Sequence, residues 1–83
     1  MKLTVEEKVS LEIQVVDADI SYAREEMRNA IKCLKDCLEN GSEYQIYQDA
    51  PYYAEKIRKA GRQYEMLSDK KKMLTWLLKE EEK

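Results

Sequence analysis

The chain has 83 residues, 43% hydrophobic and 39% charged, with two glycines, one proline, two cysteines and no histidine. This length allows one domain, residues 1–83, and a modest core. The absence of histidine removes Ser/His and Cys/His nucleophilic pairs, and a formal net charge of −2 gives no general attraction to nucleic acid or membrane surfaces. No apolar run resembles a signal peptide or reaches the length of a membrane span, so the reading is a cytosolic protein. Cys33 and Cys37 fit a reducing compartment better than a disulfide framework.

The first predicted element is a long helix over about 5–40. Thr4-Val5-Glu6-Glu7 has the capping-box pattern. Apolar residues then recur at Val9, Ile13, Val16, Ile20, Ala23, Met27, Ala30, Leu34 and Cys37, in alternating steps of 4 and 3. That spacing is a heptad seam, which keeps one stripe of a helix against a partner helix. Asn40-Gly41 is the expected stop, with Gly41 taking the left-handed conformation at the C-cap.

Ser42-Glu43-Tyr44-Gln45 is a second capping-box match that allows one or two helical turns over 43–48. Pro51 lacks an amide donor and disfavours helical geometry at Ala50. The second long helix is therefore expected over about 51–79, with Asp49 as its N-cap. Its seam is Tyr53, Ile57, Ala60, Tyr64, Leu67, Lys71, Leu74 and Leu78, in which Lys71 is the one polar residue. Gly61 reads as a position for close packing beside Ala60. The tail from Glu80 to Lys83 places acids at a helix C-terminus, against the macrodipole, and is expected to fray.

Folded back about the connection, the two seams register antiparallel. Ile13 meets Leu78, Val16 meets Leu74, Ala23 meets Leu67 and Met27 meets Tyr64; Ala30 meets Ala60, Leu34 meets Ile57 and Leu38 meets Tyr53. Charge agrees with this pairing, because residues 1–50 carry 6 basic and 11 acidic groups while residues 51–79 carry 8 and 3. The fold class is thus all-α, an antiparallel two-helix hairpin, completed as a homodimer into a four-helix bundle. The homodimer follows from a second set of apolar residues away from the seams. Leu11, Val15, Ala18 and Tyr22 run along the first helix, and Met66, Met73 and Leu77 along the second, with Trp76 nearby as an anchor.

The function expected from this build is a non-enzymatic protein–protein interaction module. A small adaptor, inhibitor or regulator of the kind made by bacteria or their phages would have this form, docking through an apolar helix face. Tyr44, Tyr47 and Tyr52 at the hairpin tip are further partner-binding candidates, since tyrosine joins contact area to a polar end. A nucleic-acid-associated protein using Arg58, Lys59, Arg62 and Lys70 on phosphates is the first alternative. A small all-α enzyme with its site at a dimer interface is the second. Glu12, Asp17, Asp19, Glu25 and Glu26 scatter round the first helix and form no single acidic track. Cys33 and Cys37 read as small buried residues near the seam; with no histidine and no third cysteine, no metal or cofactor is expected. The turn Asn40-Gly41-Ser42 lacks the tryptophan of the secreted helical hairpins that carry Trp-x-Gly, so no family resemblance follows from it.

Overall fold

The computed structural model describes residues 2–82. Two helices, α1 (Val5–Asn40) and α2 (Glu43–Glu82), pack against each other as a hairpin, and the described residues include no strand. No helix is long and apolar enough to cross a membrane among the described residues.

α1 begins as its sequence dictates. The Glu7 amide donates to Thr4 Oγ1 (3.1 Å) and the Thr4 amide donates to Glu7 Oε1 (3.3 Å), which satisfies two of the donors a helix start leaves open. The helix ends at a two-residue turn. Gly41 is extended there (φ −81°, ψ 151°) instead of left-handed, and its amide donates to the Cys37 carbonyl at 2.9 Å. Glycine is required by proximity, since a Cβ at Gly41 would lie 2.5 Å from that carbonyl oxygen.

α2 starts eight residues before the predicted position and runs through Pro51. Ser42 is the cap: its hydroxyl accepts from the Gln45 amide (3.3 Å), and its own amide donates to Gln45 Oε1 (3.1 Å). Asp49 is an exposed residue inside the helix and caps nothing. The physical reason lies in the seam. Ile46 and Ala50 are half-buried and precede Tyr53 and Ile57 in steps of 4, 3 and 4, so the apolar stripe already exists upstream of the proline. Packing along that stripe outweighs the amide bond that Pro51 cannot make. The carbonyl it orphans belongs to Tyr47, a residue 80% exposed, where water can reach it. At the other end α2 continues to Glu82, past the expected stop at 79.

The core is a single line. Val16, Ala23 and Leu67 form its buried centre, with Ile20, Tyr64 and Leu74 packed against it, and Ala30 is buried further toward the tip. The seams meet as expected but at a shifted level: Ala60 shares a groove with Ala23 instead of Ala30, and Leu34 lies beside Ala50 and Ala54 instead of Ile57, because the turn is only two residues long. Near the tip the seam runs through half-buried Cys37; Leu38, expected opposite Tyr53, is 54% exposed. Cys33 is exposed, not buried, because it falls one residue short of the seam position at Leu34. Gly61 makes no close approach, for a Cβ there would meet nothing within 4 Å. The result is a rod of 59 × 22 × 14 Å with a radius of gyration of 18.5 Å. A compact chain of this length would have a radius near ~12 Å, so little of this one lies far from solvent.

Three substitutions test the backbone. Pro51→Ala should restore a helical hydrogen bond and raise stability by up to about 3 kcal/mol in urea unfolding; no gain would mean the helix is broken at residue 50 in solution. Gly61→Ala should stabilise by about 1 kcal/mol because the space is open. Gly41→Ala should destabilise by on the order of 1–3 kcal/mol, because the Cys37 carbonyl must move.

Candidate functional site

A two-helix hairpin has two broad sides, and these differ sharply in chemistry. At about 100° per residue, residues spaced by 3 and 4 beside a seam share a side. Along α1 one such row is Glu12, Val15, Asp19, Tyr22 and Glu26. Along α2 the matching row is Lys59, Gln63, Met66, Lys70, Met73 and Leu77.

Two observations put these rows on the same side. Asp19, Tyr22 and Glu26 line one groove together with Lys56, Lys59 and Gln63, floored by Ala23 and Ala60. Further along, Lys70 Nζ bonds Glu12 Oε1 at 3.0 Å across the hairpin. At this level the opposite side is polar, where Asp17, Ser21 and Arg24 face Ser68, Lys71 and Lys72; toward the tip the same side exposes Ile31, Leu38 and Tyr47. In the polar stretch Lys71 Nζ meets Asp17 Oδ1 at 2.6 Å. Lys71 thus lays its stem along the seam and delivers its charge to the edge.

The structure therefore sorts the predicted partner-binding residues. Val15, Tyr22, Met66, Met73 and Leu77 come together on the first side, and all are exposed, from 39% at Leu77 to 69% at Met66. Tyr52 continues the α2 row and is 59% exposed. Leu11 lies at the margin of the α1 row. Trp76, three residues from Met73, sits about 60° outside the α2 row, at its outer margin, and is exposed. Tyr44 and Tyr47 lie off the row, at the tip; the Tyr44 hydroxyl accepts from Gln48 Nε2 at 2.9 Å.

Sequence reasoning missed the charged residues of this side. Glu12, Asp19 and Glu26 repeat every seven residues and make one acidic track on α1, whereas Asp17 belongs to the other side. The heptad interval was the available signal. Facing that track, α2 presents Lys56, Lys59 and Lys70, so the groove has an acidic wall and a basic wall. Lys56 stands over the Tyr52 ring, 5.2 Å from its centroid. Tyr52 beside it, and more weakly the Glu26 carboxylate, raise the Lys56 pKa above its ordinary value. Hydrogen bonding and charge from Glu26 raise the Tyr22 phenol likewise.

Of the residues considered for phosphate binding, Arg58 is engaged by Glu55 at 2.6 Å and Lys70 by Glu12. Arg58 also holds the Glu55 carboxyl below its usual pKa. Two of the four cations are thus compensated by carboxylates. Among the described residues, no group of three or more cysteine, aspartate or glutamate side chains converges as a metal site.

The Tyr22 titration offers a direct check of the acidic wall. A raised folded pKa contributes stability that is present below the unfolded phenol pKa and lost as pH rises through the folded value. Glu26→Gln should lower the Tyr22 pKa toward that of free tyrosine, read by tyrosinate absorbance against a Tyr22→Phe control; an unchanged titration would remove Glu26 from contact with the ring. No family model matches the chain, and no curated protein or solved structure is significantly similar to it.

Proposed function

We propose that the chain is a non-enzymatic protein-interaction module that docks another polypeptide on the side carrying Val15, Tyr22, Met66, Met73 and Leu77. The observation that carries this reading is the asymmetry of the hairpin away from its tip: there large apolar residues are exposed on one broad side, while serines and charges occupy the other; Ile31 and Leu38 are exposed on that other side only nearer the tip. Contiguous exposed apolar surface rimmed by polar groups marks interaction sites in soluble proteins. Tyrosine and methionine are also the residue types enriched where proteins meet. Burying a side chain of this size is worth about 1.5–3 kcal/mol, so a helix or helix pair laid on this side has a sufficient driving force. The alternating charges would set its register.

A photo-cross-linking residue at Met66, compared with one at Ser21 on the polar side, tests the reading in lysate of the producing cells. Met66 should give a protein adduct, either with a further copy of the chain or with a different protein, and Ser21 should give none. Val15→Glu combined with Met73→Glu should abolish the adduct while circular dichroism shows the helices retained. Equal yields from both sides, or none from either, would sink it.

A further inference from the structure

We infer that the occupant of this side is a second copy of the same chain, placed so that α1 of one copy lies over α2 of the other. This rests on the docking side proposed above and adds its partner and geometry. The argument is one of charge and level. Two copies meeting face to face about a two-fold axis have two simple arrangements. With the axis across the helices, α1 lies on α1 and α2 on α2. The acidic track of Glu12, Asp19 and Glu26 then meets its own copy, and the lysines of α2 meet theirs, which is repulsive throughout. With the axis parallel to the helices, each acidic track lies over the partner's basic row.

The second arrangement also keeps every residue at its own height along the rod. Height is set by the contacts across the hairpin, where Glu12 bonds Lys70 and Tyr22 and Glu26 share a groove with Lys56, Lys59 and Gln63. Glu12 is then level with the partner's Lys70, and Val15 with the region of its Met66. Glu26 is level with the region of the partner's Lys56 and Lys59. Acidic residues of one copy thus face basic residues of the other at both ends of the stretch. The product is an antiparallel four-helix bundle with both tips at one end. Over the docked stretch the outer sides carry Ser21, Arg24, Ser68 and Lys72 and are polar, which favours closure at two copies.

Light scattering on the full chain should give twice its 9.9 kDa mass, falling to the single mass in Val15→Glu. Pairing is read in a background of Cys33→Ser and Cys37→Ser. Chains carrying only Val15→Cys are mixed with chains carrying only Met66→Cys and oxidised. A mixed disulfide in clear excess over either like-with-like disulfide is expected. A dimer in which like-with-like products dominate, or in which no mixed product forms, overturns the arrangement. A single-mass particle at all concentrations overturns self-pairing and leaves a different protein as the occupant; the Met66 adduct test then stands or falls separately. Glu26→Lys should weaken the dimer and Lys59→Glu added to it should restore it, while a dimer indifferent to both changes would remove charge as the selecting force.

Discussion

Two cylinders touch along one line, and that constraint governs the whole molecule. A hairpin of two helices can bury one stripe on each, and here that stripe is narrow, with Val16 and Leu67 packed around Ala23 and a further alanine at position 30. Small residues at the closest approach let the helix axes come together, and the larger side chains fill the spaces on either side. Everything outside that line is surface, which is why so many large apolar residues stay exposed in a chain of ordinary hydrophobic content.

Charge organises what the seam leaves over. The Glu12–Lys70 and Asp17–Lys71 pairs bridge the helices on opposite sides of the seam. Each is partly exposed and individually weak. Their value lies in selection, because an acidic α1 lies comfortably beside a basic α2 and poorly beside another α1. The same preference acts inside the hairpin and, in the proposed dimer, between hairpins. Apolar residues interleaved with these charges supply the energy of docking, while the charges restrict which helix can dock and at what height.

Much of the fold was legible in the residues. The alternating steps of 4 and 3 located both seams, the Thr4 box located the start of α1, and the antiparallel pairing follows from matching one seam to the other, while its level was set by the two-residue turn. The connection was misjudged because Pro51 was weighed as a local breaker, whereas Ile46 and Ala50 continue the seam across it. Likewise Gly41 was expected to supply a left-handed turn, and its actual role is to admit the Cys37 carbonyl. Local rules describe a residue's preference in isolation, and packing overrides them when a stripe is long enough to hold the helix.

The candidate site divides the same way. Val15, Tyr22, Met66 and Met73 could each be recognised as apolar residues off the seam from spacing alone. That they share a side, and that the acidic track of α1 faces the lysines of α2 across one groove, required both helices in a common frame. The sequence by itself determined the two amphipathic helices, their caps and their opposed charge, because these depend on neighbours within one or two turns. Only the tertiary structure decided which residues face the same way across the hairpin, because the direction of a side chain on one helix has meaning for the other only once their axes, order and level are set against each other.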